Sequence, residues 1–374
     1  MAERSNGWDW DLVVAGASFA GAACALAAVH YGLRVCVLER KRDPGVKLHT
    51  TGILVKEAAE RTWLNRVPPS LVQRVERVRL YAPNLRSLSL AAPGYYFLTT
   101  DTPNLMRWLA EELRAHGVEL RLHQSFTRAS RIGDGWQVDS LGSTRCLVGA
   151  DGAKSRVAEC IGLGRVADFL YGIEHEFAGL RLPEPDALHC FISRRYAPGY
   201  IGWVAQNPTG VQLGLALRHR DAKPRRPDID GFRQRIGELV GLPARLTPTA
   251  TRAGLIPCGG PVAAMSAPGA ILTGDAAGIV SPVTAGGIHS AWQHGWTVGE
   301  AIALHVRGDG PAPESIAEQA APRFRAKRAL RWAYDRFQAD WPFDLLLHSA
   351  PLRWAAEQVY FHRRRTWPGF RRSG

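Results

Sequence analysis

The sequence predicts an α/β protein, α+β overall. A parallel-sheet domain of Rossmann type is joined to an antiparallel-sheet domain and closed by a C-terminal helical segment. Three observations carry this. Residues 11–39, DLVVAGASFAGAACALAAVHYGLRVCVLE, run apolar stretch, small-residue turn, Ala-rich stretch, apolar stretch, the order of a βαβ unit. From about 168 to 219 the apolar period drops to two, the mark of antiparallel strands. Near the end, ALRWAYDRF and LRWAAEQVYF return to helical spacing. The 374 residues exceed what one core usually holds, so two domains sharing an interface are expected.

Taken in order, LVVA (12–15) is a short buried strand and Gly16 to Gly21 a tight turn. The helix that follows runs to about His30 and ends at Gly32, a residue free to take a left-handed backbone. RVCVLE (34–39) is the second strand, ending on an acid. Thr102 to Gly117 is a helix: Thr102 is its expected cap, Pro103 suits the first turn, and Leu105, Leu109 and Leu113 share a face. VELRLHQSF, WQVDSLG and TRCLVGADG follow as strands. ALHCFISRRY, GYIGWVAQ and VQLGLALRH are the antiparallel strands, turning at Ala197–Gly199 and Asn207–Gly210. AKPRRPD interrupts at 222–228, and a strand returns at 270–275. The expected division is therefore discontinuous. Residues 1–75, 100–165 and 268–310 form the first domain, 76–99 and 166–267 the antiparallel one, and 311–374 a basic helical segment.

Composition narrows the function classes. Hydrophobic residues make up 46%, and no apolar run reaches the length of a spanning helix. The polar start, MAERSNGWDWD, does not read as a secretory signal. Six cysteines are scattered without a CxxC pair, so buried thiols in a cytoplasmic protein are expected, with no metal site. The net charge is +13, and residues 323–374 hold 12 Lys/Arg against 4 Asp/Glu. There, RWAYDRFQADW and YFHRRRTWPGFRR interleave arginine with aromatics. A helical cap on the core is the first expectation for this tail and peripheral membrane contact the second. Nucleic acid is not an expected partner. No GxSxG elbow, HExxH or P-loop pattern is present, so nothing points to a nucleophile-elbow hydrolase, a zinc protease or a P-loop enzyme.

Three motifs carry chemistry. Gly16-Ala17-Ser18-Phe19-Ala20-Gly21 fits the GxGxxG dinucleotide fingerprint except at Ser18. Glycine there makes the turn, admits pyrophosphate to the backbone and lets the helix pack closely. Glu39 ends the second strand, where an acid accepts bonds from adenosine ribose hydroxyls and repels a 2′-phosphate, favouring FAD or NAD over NADP at this site. Arg40-Lys41-Arg42 follows, either meeting phosphates or forming a solvated cluster. The second motif, Leu147 to Arg156, runs a strand into Asp151-Gly152 and then a basic loop. The third is Ala270-Ile271-Leu272-Thr273-Gly274-Asp275, a strand ending in Gly-Asp. The run AAGIVSPVTAGG then leads into the helix IHSAWQHGWTVGEAIALHV.

In this order and spacing, the three motifs resemble FAD-dependent oxidoreductases of the para-hydroxybenzoate hydroxylase type. GDAAG…P…GGI is similar to the geranylgeranyl reductase branch; the aromatic hydroxylases usually carry a histidine where this chain has Gly278. Pro198 to Val204, PGYIGWV, resembles that branch's PGYxW motif. Val46 to Ile53, VKLHTTGI, falls where the branch often has KPCGG. The resemblance covers about residues 10–305.

The resemblance implies non-covalent FAD held by Gly16, Ser18, Gly21, Glu39, Arg40, Asp151, Gly274, Asp275, Gly286 and Gly287. Asp275 would hold a ribityl hydroxyl, and the small residues after it would make room for the flat ring. The helix opening at Gly286-Gly287 would stabilise the reduced ring through its free N–H groups. Thr51, Tyr200, Trp203 and Pro282 would line a substrate pocket; for Tyr200 and Trp203, sheet core is the other reading. His49 stands where the reductases often have a cysteine and is either a proton donor or a hydrogen-bonding loop histidine. Lys47 is the second catalytic candidate. The implied reaction is hydride transfer to a carbon–carbon double bond of an apolar, prenylated molecule. NAD(P)H bound transiently, or a flavin-reducing partner, would supply the electrons. The alternative is a monooxygenase or halogenase acting through a C4a-hydroperoxyflavin, with Lys47 or Lys56 near the substrate.

Overall fold

The computed structural model describes residues 7–220, 225–243 and 245–361. The first three residues of AKPRRPD, and the final RRRTWPGFRR of the basic tail, lie outside the described residues.

β1 (Trp10–Ala15), α1 (Phe19–His30) and β2 (Val35–Glu39) make the expected βαβ unit. After them come β3 (Leu54–Val55), α2 (Lys56–Arg61), β4 (Val72–Val75), β5 (Arg77–Tyr81), β6 (Ser87–Ala91) and β7 (Phe97–Thr100). Next are α3 (Thr102–Ala115), β8 (Glu119–Leu122), β9 (Ala129–Ile132), β10 (Gly135–Val138), β11 (Gly142–Gly149) and α4 (Arg156–Ile161). β12 (Phe169–Ala178), β13 (Ala187–Ile192), β14 (Ile201–Asn207), β15 (Gly210–His219), α5 (Ile229–Val240) and β16 (Ala250–Pro257) follow. The chain ends with β17 (Ser266–Ala267), β18 (Ala270–Leu272), α6 (Ile288–Val306), α7 (Pro313–Ala320), α8 (Arg325–Phe337), α9 (Trp341–Leu346) and α10 (Ala350–Phe361).

Among the described residues these strands form three sheets. In the first, β18, β11, β1, β2 and β8 lie side by side and parallel, with β17 antiparallel at one edge and the β9–β10 hairpin leaning on β11. Helices cover this sheet, so β1 is buried along nearly its whole length and reads as a continuous apolar run. The cover is unusually close on one side. A Cβ at Gly295 of α6 would stand 2.2 Å from the Ala20 carbonyl oxygen, and one at Gly299 would stand 2.1 Å from that of Cys24. α1 and α6 therefore touch backbone to backbone, and the alanines of α1 are small because α6 leaves them no room.

The second sheet runs β16-β12-β15-β14-β13-β5-β6, antiparallel throughout except where β13 meets β5. The period-two strands fall where expected, yet β13, β14 and β15 are buried on both faces. α5 covers one face with Phe232, Ile236 and Val240, and the C-terminal helices approach the other through Leu347, Ala356 and Phe361. α5 was not foreseen in the sequence. Asp228 caps it, accepting from Gly231 N at 2.9 Å. The third sheet, β3-β7-β4, is small and antiparallel.

Two local expectations are corrected. Asp101, not Thr102, caps α3: its Oδ1 accepts from Asn104 N at 3.2 Å, while the Thr102 hydroxyl turns to Thr100 Oγ1 at 3.0 Å. The strand expected over VELRLHQSF stops at Leu122, because His123 takes a left-handed backbone with φ 58°. β9 was not anticipated as a separate strand.

Candidate active site

One continuous cavity of about 970 Å³ joins the first sheet to the second and reaches the C-terminal helices. Its wall at the first sheet begins with the turn after β1. Gly16 has φ 103°, and a Cβ there would stand 2.3 Å from the Ala150 carbonyl oxygen, so no other residue fits without moving β11. Ser18 occupies the N-cap position of α1 with its side chain making no cap bond. Gly16, Ser18, Phe19 and Ala20 line the cavity, placing the unpaired N–H groups of a helix start there. Gly21 does not line it. A Cβ at Gly21 would lie 1.9 Å from the Gly16 carbonyl oxygen, so its service is close packing of helix on turn.

Glu39 is buried at the end of β2 and lines the cavity. Its Oε2 accepts from Ala17 N at 3.2 Å and its Oε1 from Lys41 N at 3.0 Å, which ties the glycine turn to the strand end. Arg40 lines the same wall from an exposed position. Asp151 also lines it, but its carboxylate is occupied. It accepts from Ser155 Oγ at 2.6 Å, Arg156 N at 2.7 Å and Val157 N at 3.2 Å, and so holds the start of α4.

Asp275 is different. It sits on the single 3-10 turn Gly274–Ala277 that follows β18, and both Gly274 and Asp275 line the cavity. Burial alone pushes its carboxyl up to about 6. Among the described residues, no group supplies a countercharge or a side-chain hydrogen bond to offset that cost. Gly286 and Gly287 line the cavity as well, and α6 starts from Gly287 without a side-chain cap. A turn that one Cβ would block, an unpartnered carboxylate and an uncapped helix start thus lie along one cavity. They fit the pyrophosphate, sugar chain and ring edge of a flavin dinucleotide.

The rest of the cavity is mainly apolar, walled by residues such as Leu80, Phe97, Leu188, Ile201, Leu352 and Val359, with Arg331 among them. Thr51, Tyr200 and Trp203 line it, and Pro282 and Lys47 do not. Pro282 is buried beside the lining residue Val283. Lys47 stands on an exposed turn with φ 49°. Lys56 is also outside the cavity wall, its Nζ donating to Gly94 O at 2.6 Å. Tyr200 donates its hydroxyl to Thr284 O, in the loop before α6. His49 lines the cavity with Nδ1 2.8 Å from Ala253 O and Nε2 3.3 Å from Arg40 Nη2. A carbonyl only accepts, so Nδ1 carries the hydrogen and Nε2 accepts from Arg40. In this posture His49 anchors its loop and Nε2 carries no proton; Nε2 can take one up and pass it on only after Arg40 swings away.

Behind Trp203 lies a buried ionic group that the sequence did not reveal. Trp203 Nε1 donates to Glu174 Oε2 at 2.9 Å; Arg252 Nη1 bonds Glu174 Oε1 at 3.3 Å and Nη2 bonds Glu176. Burial raises the Glu174 carboxyl to about 7, against the opposing pull of Arg252 and Trp203. A carboxyl raised in this way binds its proton more tightly folded than unfolded. Its contribution to stability is therefore present at acid pH and is lost as pH rises through about 7. In Glu174→Gln the fall in thermal stability between pH 5 and 8 is expected to shrink by roughly 2 kcal/mol, measured by melting curves across that range. Equal slopes in the two proteins would overturn this assignment.

The sequence also missed the C-terminal contribution. Arg331 and Tyr334 of α8, Phe343 of α9 and Tyr360 of α10 all line the cavity. The signal was present as spacings of four, Leu330 with Tyr334 and Leu352 with Ala356, but the basic residues between them masked it.

Comparison with known proteins agrees with this geometry. The family described as FAD binding domain matches residues 77–331. Digeranylgeranylglycerophospholipid reductase 2 of Methanopyrus kandleri is 27% identical over 323 residues, covering 80% of this chain and 78% of that protein. Among solved structures, a geranylgeranyl bacteriochlorophyll reductase-like protein from Thermoplasma acidophilum superposes with a TM-score of 0.79 at 16% identity, covering 95% and 97% of the two chains. PqsL of Pseudomonas aeruginosa, described as a probable FAD-dependent monooxygenase, gives 0.65 at 18% identity over 91% and 100%. The chain belongs to the FAD binding domain family and is an FAD-dependent oxidoreductase distantly related to the geranylgeranyl reductases.

Proposed function

We propose that the protein reduces a carbon–carbon double bond of an apolar, prenylated small molecule. The observation that carries this is the continuity of the cavity, from Gly16, Glu39 and Asp275 at one end to Leu80, Phe97, Leu188 and Val359 at the other. FAD, when bound, supplies the hydride, and NAD(P)H or a flavin-reducing partner restores it. The chain's own residues do the rest. The turn at Gly16 and the start of α1 receive the pyrophosphate, Glu39 the ribose and Asp275 the sugar chain. The uncapped start of α6 offers N–H groups where negative charge collects on reduction. Tyr200, tied to Thr284, and Trp203, tied to Glu174, hold the apolar wall in place. α8 and α10 close it against water, which favours a hydride transfer over side reactions. His49 is the candidate proton source once Arg40 moves, and the C-terminal helices make peripheral contact with a lipid surface.

Rapid mixing tests the reading. The FAD-loaded protein is reduced anaerobically and mixed first with geranylgeraniol, then separately with oxygenated buffer. The expected result is reoxidation by the alkene, with a product two mass units heavier, and a direct return to the oxidised spectrum in oxygen. A distinct absorbance transient in oxygen, with no alkene turnover, would move the assignment to the monooxygenase and halogenase alternative.

A further inference from the structure

Ten large apolar side chains are exposed among the described residues, and seven of them lie on α8, α9 and α10. Trp332 and Phe337 stand on α8, Trp341, Leu345 and Leu346 on or beside α9, and Trp354 on α10. The seventh, Leu330, is 53% exposed and also lines the cavity. At Leu330 the outer apolar face and the inner apolar cavity are therefore continuous.

The charges on these helices are sorted by exposure. The strongly exposed ones are arginines: Arg325, Arg328, Arg336 and Arg353. The acids are less exposed, and each has a protein partner. Asp335 holds Arg218 and Arg331, and Asp340 accepts from Arg194 N at 3.0 Å. Asp344 accepts from Asn84 N at 2.9 Å, and Glu357 meets Arg353 at 3.4 Å. Arg336 lies over the Trp332 ring at 4.4 Å, so charge and aromatic surface are presented together.

We propose that this outer face of α8–α10 docks on an anionic lipid bilayer, and that Leu330 marks a lateral port through which an apolar substrate passes from the bilayer into the cavity. The proposal deepens the reductase reading and rests on it only for the identity of the cargo. Tryptophans and leucines among arginines suit the boundary between headgroups and acyl chains. No helix among the described residues is long and apolar enough to cross a membrane, so the contact is on the surface. A second copy of the chain fits poorly: a two-fold contact on this face would set arginine against arginine.

The test uses the full chain with FAD bound and no substrate or reductant. It is floated with vesicles of phosphatidylglycerol or of phosphatidylcholine. Binding to phosphatidylglycerol is expected to exceed binding to phosphatidylcholine by at least about tenfold, and to weaken with salt. Trp341→Ser with Leu345→Ser, and separately Arg325→Glu with Arg328→Glu, are each expected to lower it about tenfold while the bound-flavin spectrum stays unchanged. Leu330→Cys carrying an environment-sensitive fluorophore is expected to shift its emission to the blue on phosphatidylglycerol vesicles. No flotation of the full chain, undiminished flotation of both double variants, or an unmoved fluorophore would overturn the proposal. So would a concentration-dependent dimer that the same variants dissolve. Vesicle binding without alkene reduction would sink the reductase reading and leave the docking face standing; alkene reduction in detergent without vesicle binding would do the reverse.

Discussion

Asp275→Asn is expected to lower FAD affinity by about 10- to 100-fold, the cost of losing one charge-assisted hydrogen bond of roughly 1.5–3 kcal/mol. The same change is expected to raise the stability of FAD-free protein at neutral pH. Both effects have one cause. The carboxyl is pushed up to about 6 by burial alone, so as a carboxylate it is an uncompensated charge until a hydroxyl reaches it. Because the folded chain holds this proton more tightly than the unfolded chain, FAD-free protein loses stability as pH rises from about 4 through 6. Asn has no proton to lose, and that slope disappears. A fluorescence titration with FAD gives the first effect, and melting curves of FAD-free protein at several pH values give the second. Unchanged FAD affinity would remove Asp275 from the cofactor site whatever the melting curves show.

Gly299→Ala is expected to be severely destabilising, by about 3 kcal/mol or more, at the upper end of what overpacking costs. Its Cβ would collide with a backbone oxygen of α1 at 2.1 Å, not with a side chain that can rotate away. Total stabilities are about 5–15 kcal/mol, so a large share of the stability margin is expected to be lost and less protein to survive folded through purification. The surviving fraction is expected to retain FAD poorly, because α1 carries the glycine turn and α6 carries Gly287 at its start. Gly237→Ala on α5 is the control: the nearest atom to its added Cβ is 3.4 Å away, and a near-neutral effect is expected. Denaturant midpoints of the two variants decide it, and a wild-type midpoint for Gly299→Ala would overturn the packing argument.

What the sequence made legible follows the range of the interactions involved. The turn at 16–21, the strand end at Glu39 and α6 from Ile288 were readable because each rests on neighbours within a few residues, whereas the strand expected over 270–275 stops at Leu272 and Asp275 falls on the 3-10 turn beyond it. α5 has a local pattern too, Asp228 followed by Ile229, Phe232, Ile236 and Val240 at helical spacing, but the proline- and arginine-rich stretch before it interrupts the run. Other features depend on partners far along the chain. The Glu174–Arg252 pair spans 78 residues and the His49–Ala253 contact 204, and no local pattern announces either. The α1–α6 contact was written as Gly295 and Gly299 four apart, yet its meaning needed Ala20 and Cys24 opposite. Asp151 shows the reverse case. Its motif named a cofactor residue, and the structure spends its carboxylate on the start of α4.

β11 and β18 are parallel neighbours, with Leu147 beside Ala270 and Gly149 beside Leu272. The intervening stretch, which holds β12 to β16, thus departs from and re-enters the first sheet through adjacent strands. Such an arrangement is modular. The excursion can lengthen, shorten or be exchanged for that of a relative while the two strands that frame it stay paired. Remodelling that excursion would reshape β12 to β16, while β5 and β6 of the same sheet, which precede β11, and the helices after β18 would stay as they are.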